Sequence, residues 1–180
     1  MCSYNGSSHE KSPHEAATMN ISRLNHAVLF VRSATAAADF YARAFGFVVA
    51  GTEFGGKAIF MRAASTENHH DLGLFEVGAD APRPPRGATG LYHLAWEVPT
   101  IQDLAAAAES LGALGALSGA SDHGVSKSLY GADPDGNEFE IMWRVPADAW
   151  GDYKEHAVVK PLDLAAELAQ WGNGSAVDAG

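Results

Sequence analysis

The chain contains an internal repeat, which constrains its fold more than any other feature does. His26 and Val31 in the first half match His93 and Val98 in the second half, and each matching pair is 67 positions apart. Both pairs lie in segments that predict the same opening β-strand. Self-similarity at one fixed offset is the mark of a duplicated structural unit. We therefore expect two copies of one module.

Each expected module continues with one helix and three short strands. The helical segments cover residues 35–45 and 101–111. Their ends are marked by Ser33 and Thr100, which are good N-caps, and by Gly46 and Gly112, which favour the conformation that ends a helix. The expected strands cover residues 48–53, 57–62 and 72–77 in the first module and 116–118, 126–130 and 138–144 in the second.

This pattern predicts an α+β fold in which two βαβββ modules form a curved mixed sheet. The expected organisation is a disordered tail at 1–20, a domain at 21–144 with modules at 21–80 and 90–144, and a C-terminal extension at 145–180. In the extension, the apolar spacing of Leu164, Leu168 and Trp171 predicts a helix. This helix either covers an exposed sheet face or acts as a lid or a dimer contact.

A tight turn is predicted between the last two strands of the second module. Pro134 fixes its own φ and Gly136 tolerates an unusual φ, so residues 133–136 suit a turn that joins two strands. Tyr130 then ends one strand and Glu140 lies in the next, where side chains alternate between two faces. An acidic side chain among apolar neighbours either faces water or coordinates a ligand.

Three side chains that can bind a metal occupy equivalent positions in the two modules. His26 and His93 are related by the repeat offset, and the same offset relates Glu140 to Gly73. Two imidazoles and one carboxylate form the ligand set of non-haem Fe(II) oxygenases, because this set leaves coordination positions open. His26, His93 and Glu140 are therefore the candidate metal ligands. Zinc, manganese and magnesium are chemically compatible alternatives to iron.

The two modules and the His, His, Glu set resemble the vicinal oxygen chelate superfamily. This superfamily includes glyoxalase I, fosfomycin-modifying enzymes, bleomycin-resistance proteins and type I extradiol catechol dioxygenases. The second module is similar to the extradiol dioxygenase signature, whose positions are filled here by His123, Leu129, Tyr130, Asp133, Pro134, Gly136 and Glu140. Ser121 departs from the residue types usual at its position. The resemblance implies the vicinal oxygen chelate fold around a metal site.

The resemblance also implies a reaction and a role for several residues. A small single-domain extradiol dioxygenase would use Fe(II), with Mn(II) as the alternative, and O₂ to open a catechol ring beside its hydroxyl groups, giving a semialdehyde. His70 lies in a segment that resembles the part of extradiol enzymes carrying the acid–base histidine, with His69 as the alternative. Tyr130 would hydrogen-bond a substrate oxygen, and His123 would bond the second oxygen or shape the pocket.

The resemblance leaves the substrate and two other functions open. The catechol is either 3,4-dihydroxyphenylalanine or a simple or substituted catechol, and the expected assembly is a homodimer. One alternative is a metal-dependent isomerase or transferase of the glyoxalase or fosfomycin type. Glyoxalase I normally has a fourth protein ligand where this chain has Gly73. The other alternative is a metal-free drug-binding resistance protein, which would not need three ligands at matching positions.

Composition limits the partners and the compartment. The formal net charge of −10 argues against nucleic-acid binding, which requires basic patches. No apolar run approaches the length needed to span a membrane, so no membrane partner is expected. The single cysteine, Cys2, rules out a disulfide within the chain and indicates a reducing, cytoplasmic setting.

Overall fold

The computed structural model describes residues 19–83, 85 and 87–172 of the chain. In the first module of this described part, the elements are β1 (Ala27–Val31), α1 (Ala34–Phe45), β2 (Val48–Glu53), β3 (Ala58–Arg62) and β4 (Leu72–Glu76). In the second they are β5 (His93–Val98), α2 (Ile101–Ala113), β6 (Leu117–Asp122), β7 (Ser126–Ala132) and β8 (Glu138–Arg144), followed by β9 (Lys160–Pro161) and α3 (Leu164–Trp171). The tail predicted at 1–20 lies outside the described residues except for its last two.

The strands form one sheet in each module with the same topology. The first sheet has the order β1-β4-β3-β2, and the second has the order β5-β8-β7-β6-β9. In both, the opening strand is parallel to the last strand of the module and the other pairs are antiparallel. Val28 pairs with Gly73 and Ala95 pairs with Glu140, so the register repeats at the predicted offset. The predicted α+β fold is confirmed, with the mixed sheet divided between the modules.

The helix ends follow from local side-chain and backbone chemistry. The hydroxyls of Ser33 and Thr100 each accept a hydrogen bond from a backbone N–H in the first turn, which confirms both N-caps. Gly46 ends α1 in the left-handed conformation, with φ of 67°. The prediction that Gly112 ends the second helix is wrong. The helix continues through that residue, and Gly115, with φ of 65°, makes the left-handed turn into the next strand.

The sixth strand is longer than predicted, because it is paired on both sides at its end. The prediction placed it at 116–118, whereas β6 runs from Leu117 to Asp122. Ser121 and Asp122 pair with β7 on one side and with β9 of the C-terminal extension on the other. These residues have no apolar alternation that would indicate a strand, so only the tertiary pairing reveals it.

An aromatic cluster joins the two modules into one core. Phe45 lies 4.9 Å from Phe139, and Phe47 lies 5.2 Å from Trp96, both measured between ring centroids. Phe40 also packs on Phe139, with 6.1 Å between the ring centroids. Edge-on aromatic pairs add to the gain from burying the rings, so the cluster fixes how the modules pack.

The face of each sheet that points away from the core is open. In β1, Leu29 and Val31 are buried, whereas Val28 and Phe30 are 50% and 74% exposed. In β5 the alternate residues Ala95 and Glu97 are exposed as well. We call the surface that carries these alternate side chains the open face. Because strand side chains alternate, His26 and His93 belong to it together with them.

The C-terminal extension contains the predicted helix. The helix α3 packs against α2, and Trp171 lies 5.8 Å from Trp143 between ring centroids. Lys127 of β7 forms ion pairs with Glu167 of α3 at 2.9 Å and with Asp122 at 2.6 Å. These contacts lie on the side of the second sheet away from the open face. Among the described residues, no helix is both long enough and apolar enough to cross a lipid bilayer.

Candidate active site

Three candidate residues form a row across the open face of the second sheet. His93 begins β5, Glu140 lies in β8, and Tyr130 lies in β7 directly opposite Glu140. Residues opposite one another in neighbouring strands point to the same face. His93 Nε2 lies 3.1 Å from Glu140 Oε2, and both side chains are largely buried, at 26% and 13% exposed. The strand register therefore places two predicted ligands side by side.

The row continues to His123 through a hydrogen bond. His123 follows β6, and its Nε2 lies 2.7 Å from the Tyr130 hydroxyl oxygen. Its other ring nitrogen, Nδ1, lies 3.0 Å from the backbone oxygen of Val158. Burial raises the pKa of Tyr130, and the nearby Glu140 carboxylate raises it further. The predicted pair of His123 and Tyr130 is thus formed next to the histidine and glutamate pair.

The predicted turn holds the two strands that carry Tyr130 and Glu140. The buried Asp133 carboxylate accepts hydrogen bonds from the backbone N–H groups of Asp135 and Asn137, each at 2.9 Å. Gly136 has φ of 86°, which an L-residue rarely adopts. Asp133 also accepts a hydrogen bond from the Tyr41 hydroxyl of α1 at 3.3 Å. This network fixes the hairpin and its register.

A second cluster of histidines lies in the first module. The rings of His26 and His70 are 4.6 Å apart between centroids, and His69 Nδ1 lies 3.1 Å from His70 Nδ1. Partial burial lowers the pKa of His70, and the neighbouring His26 and His69 lower it further. Phe60 packs edge-on against His70 with 4.9 Å between ring centroids. His70 is thus the one of the two adjacent histidines that lies beside the predicted ligand His26.

Two asparagines orient His26, and sequence reasoning gave them no role. Asn25 Oδ1 accepts a hydrogen bond from His26 Nδ1 at 2.9 Å, and Asn25 Nδ2 donates to Asn68 Oδ1 at 3.3 Å. Arg23 also donates to Asn68 Oδ1, at 2.5 Å. A histidine whose Nδ1 donates keeps the lone pair on Nε2, which is the form that binds a metal. Asparagine has many structural roles in proteins, so the sequence alone does not mark either residue as part of a site.

The described residues do not bring all three predicted ligands together. No group of three or more His, Cys, Asp or Glu side chains within 19–83, 85 and 87–172 could hold a metal ion. His93 and Glu140 do suit one, since two donors at about 2.1 Å from the same cation lie about 3 Å apart. His93 Nδ1 is buried and has no hydrogen-bond partner among these residues, although the second ring nitrogen of a metal-binding histidine usually donates to a carboxylate, a carbonyl or water. The three predicted ligands suit a metal chemically. Within one chain, two of them, His93 and Glu140, lie close enough to share it.

Gly73 occupies the position equivalent to Glu140 and provides no ligand. A β-carbon built there would lie 3.3 Å from Val28 Cγ2 and 3.6 Å from the Phe60 ring. A side chain at this position would therefore point to the open face, but apolar groups already crowd the space. The first module contributes histidines to the open face, whereas the carboxylate comes from the second module.

The fold and the site together define a class of protein. The protein consists of two βαβββ modules whose open faces carry the candidate histidines and the Glu140 carboxylate. Residues 23–141 match the Glyoxalase/Bleomycin resistance protein/Dioxygenase superfamily, and the chain belongs to this superfamily. The vicinal oxygen chelate resemblance seen in the sequence is thereby confirmed.

Among curated relatives, two dioxygenases are similar to the chain. The catechol-2,3-dioxygenase of Bacillus subtilis is 32% identical over 128 residues, which cover 71% of this chain and 43% of that protein. The biphenyl-2,3-diol 1,2-dioxygenase 2 of Rhodococcus globerulus is 41% identical over 79 residues, covering 42% of this chain and 40% of that protein. The chain thus spans about two fifths of the length of these relatives.

Solved structures of lower identity share the fold. A glyoxalase/dioxygenase from Nostoc punctiforme has a TM-score of 0.58 at 22% identity, covering 80% of this chain and 100% of that one. The fosfomycin resistance protein FosX from Listeria monocytogenes has a TM-score of 0.54 at 20% identity, covering 70% and 94%. At such identities the likeness concerns the fold and leaves the reaction open.

Proposed function

We propose that the protein is an Fe(II)-dependent extradiol dioxygenase that opens the ring of a catechol with O₂ and forms a semialdehyde. The observation that carries this proposal is the row of His93, Glu140, Tyr130 and His123, which ends in a hydrogen bond of 2.7 Å. In this row the hydrogen-bonded side chains of Tyr130 and His123 lie beside His93 and Glu140, whose side chains are of types that bind metals. The similarity to two enzymes named as catechol and biphenyl-diol dioxygenases supports the same reaction.

In this proposal His26, His93 and Glu140 hold the metal, with Mn(II) as the alternative to Fe(II). The bound metal would supply open coordination positions for substrate and O₂ and would favour the deprotonated diol. His93 and Glu140 come from neighbouring strands of one sheet, so strand pairing fixes their separation. The Asn25 contact keeps His26 in the tautomer that ligation needs.

The other polar residues would bind the substrate and move protons. Tyr130 would hydrogen-bond the diol oxygen nearest to Glu140, and His123 would keep the Tyr130 hydroxyl in place. His70 would take up and return a proton, because it lies beside His26 and is only partly buried. Phe60, packed against His70, would offer an apolar surface to the aromatic ring.

A homodimer would complete the site if the second copy supplies the missing histidine. Val28 and Phe30 share the open face with His26 and are exposed, which is unusual for large apolar side chains grouped on one strand. Covering this face with a second copy would bury them and bring His26 of one chain to His93 and Glu140 of the other. Such an arrangement repeats itself by two-fold symmetry and therefore gives two equal sites.

Complementation tests the shared site. Neither His26→Ala nor Glu140→Ala alone should bind iron tightly, whereas co-expressed variants should recover about one quarter of the wild-type iron content. The recovery arises because half of the dimers are mixed, and one of the two sites in a mixed dimer has all its ligands. Co-expressed variants that bind no more iron than each alone would rule out a site shared between copies.

Three rival functions are less well supported. A glyoxalase with four protein ligands would need a carboxylate at Gly73, where Val28 and Phe60 leave little space. A metal-free drug-binding protein would have no need for His93 and Glu140 to meet at 3.1 Å inside a partly buried sheet face. A fosfomycin-type transferase shares the ligand set, and the hydrogen bond from Tyr130 to His123 is the feature that favours the dioxygenase over it.

The test is turnover of a panel of catechols by metal-reconstituted protein. The protein is loaded anaerobically with Fe(II), Mn(II) or Zn(II) and mixed in air with catechol, alkyl catechols and 3,4-dihydroxyphenylalanine. Uptake of one O₂ per catechol with a visible-absorbing product is expected for the Fe(II) or Mn(II) sample and not for Zn(II) or for Glu140→Ala. Absence of O₂ uptake with every metal and substrate would overturn the proposal.

A further inference from the structure

A segment outside the family match contacts His123 at the edge of the site. Residues 150–161, which we call the strap, come after β8, end in β9 of the second sheet and are not part of the matched residues 23–141. At its end, Lys160 and Pro161 pair with β6 directly before His123. In its middle, the backbone oxygen of Val158 lies 3.0 Å from His123 Nδ1. The strap therefore reaches the site through a backbone atom.

The strap also packs on the residue after His123. Gly124 has φ of 76°, and a β-carbon built there would overlap the Tyr153 ring. Lys160 Nζ lies 2.8 Å from the Tyr153 hydroxyl oxygen and 4.9 Å from the centre of that ring. The ring is thus held between Gly124 and Lys160. The bare glycine backbone allows the strap to approach the loop that carries His123.

Hydrogen-bond chemistry determines how the strap acts on His123. A backbone carbonyl can only accept, so the Val158 contact requires a hydrogen on His123 Nδ1. In a neutral imidazole the other nitrogen, Nε2, then has only a lone pair and must accept. The Tyr130 hydroxyl, 2.7 Å from Nε2, is therefore the donor. Its hydrogen points at His123, and the oxygen lone pairs are left for other partners.

We propose that the strap is a positioning element of the active site. The Val158 carbonyl fixes the Nδ1–H tautomer of His123, and His123 in turn orients the Tyr130 hydroxyl. Val158, Tyr153 and Gly124 are positioning residues, because they act through His123 and not on the substrate. The catalytic consequence rests on the proposed dioxygenase function, whereas the tautomer of His123 can be measured without any turnover.

The tautomer is measured on the metal-free full-length chain labelled with ¹⁵N-histidine. Two-bond ¹H–¹⁵N spectra at mildly alkaline pH distinguish protonated from bare ring nitrogens. The chain has 8 histidines, and the signals that disappear in His123→Asn assign this one. We expect a single Nδ1–H form for His123. An Nε2–H form in the wild-type protein would overturn the proposal at once.

Paired variants of Tyr153 test the strap itself. Tyr153→Ala removes the ring that rests on Gly124, while the matched control Tyr153→Phe keeps the ring and loses only the hydroxyl. Tyr153 is 38% exposed, so neither change opens a large core cavity. We expect Tyr153→Ala to convert the single tautomer of His123 into an exchanging mixture and Tyr153→Phe to preserve it. An unchanged His123 spectrum in Tyr153→Ala would overturn the role of the strap.

Kinetics give the second readout. For the catechol that the wild-type protein turns over, Tyr153→Ala should lower kcat by about 10-fold to 100-fold, because a misplaced hydrogen-bonding group acts on the chemical step. KM and iron content should stay within about twofold of the wild-type values. A tautomer change without a fall in kcat would refute positioning. If wild-type protein turns over no catechol, the proposed reaction fails while the spectra still decide whether the strap sets the tautomer.

Discussion

Lys127 offers the sharpest test of how the C-terminal extension is attached. Its side chain is 8% exposed and forms ion pairs with Asp122 at 2.6 Å and with Glu167 of α3 at 2.9 Å. Asp122 also accepts a hydrogen bond from the backbone N–H of Gly124 at 2.7 Å. Lys127→Met keeps the length and the apolar stem of the side chain. It removes the charge and leaves two carboxylates without their cation.

The expected loss follows from the exposure of these groups. Removing one partner of a fully buried ion pair costs about 3–5 kcal/mol of unfolding free energy. The carboxylates of Asp122 and Glu167 are 21% and 15% exposed, so water relieves part of the cost and the lower end applies. We expect a loss of about 3 kcal/mol. For a chain of this size the melting temperature should fall by about 6–12 °C.

Urea unfolding followed by tryptophan fluorescence measures this loss, because Trp143 of β8 and Trp171 of α3 pack against each other where the extension meets the domain. The matched control is Arg43→Met, which breaks an exposed pair with Asp39 at 3.5 Å and should cost less than about 1 kcal/mol. The triple change Lys127→Met with Asp122→Asn and Glu167→Gln should recover most of the stability, since no unpaired charge remains. A loss for Lys127→Met no larger than for Arg43→Met would refute the reasoning.

Four further outcomes are expected. Glu140→Ala should retain less than about a tenth of the wild-type iron on gel filtration, as loss of one ligand weakens the site; stoichiometric iron would contradict its role. His70→Phe should keep iron and catechol binding but lower kcat by about 10²–10⁴-fold, and unchanged turnover would exclude it as the acid–base residue. Gly73→Glu should abolish O₂ uptake, because its side chain has to displace Val28 and Phe60 on the open face and disturbs the site whether or not it binds the metal; full activity would show that residue 73 lies away from the metal. Burial alone would raise the pKa of Asp122, but hydrogen bonds from Lys127 and a backbone N–H outweigh it and lower that pKa. The ionised Asp122 carboxylate therefore stabilises the fold above about pH 4, and this contribution is lost as the pH falls further. In an acid titration below that pH, Asp122→Asn should lose less unfolding free energy than the wild-type protein.

The fold could be predicted from the sequence because the repeat constrains it twice. Each module had to satisfy the same strand and helix periodicity, so a weak signal in one copy was supported by the other. Ser33 and Thr100, which are separated by the repeat offset, cap the equivalent helices of the two modules and confirm this. Where the copies differ, the prediction weakened. Gly112 was expected to act like Gly46, but the second helix continues past that residue to Gly115.

The site was predictable only in part, because its residues are combined by tertiary structure. The strand register places Glu140 opposite Tyr130 and close to His93, and alternation in the sequence could anticipate this group. His123 reaches Tyr130 from beyond the end of β6, where alternation gives no guide. The distance of His26 from them depends on how the two sheets pack, and periodicity says nothing about that. The Val158 contact is made by a backbone oxygen, which every residue has, so no side-chain pattern could reveal it.

The two modules have diverged at equivalent positions, and this divergence explains how a catechol could be held. In the second sheet, Glu140 pairs with Tyr130 on one side, whereas in the first sheet Gly73 pairs with Phe60. The same register thus places a polar pair in one module and an apolar pair in the other. A catechol has a polar diol edge and an apolar ring, which match these two surfaces. In the proposed reaction the second module would therefore bind the diol and the first would contact the ring, so that changes at Phe60 should alter which catechol is preferred while leaving iron binding intact.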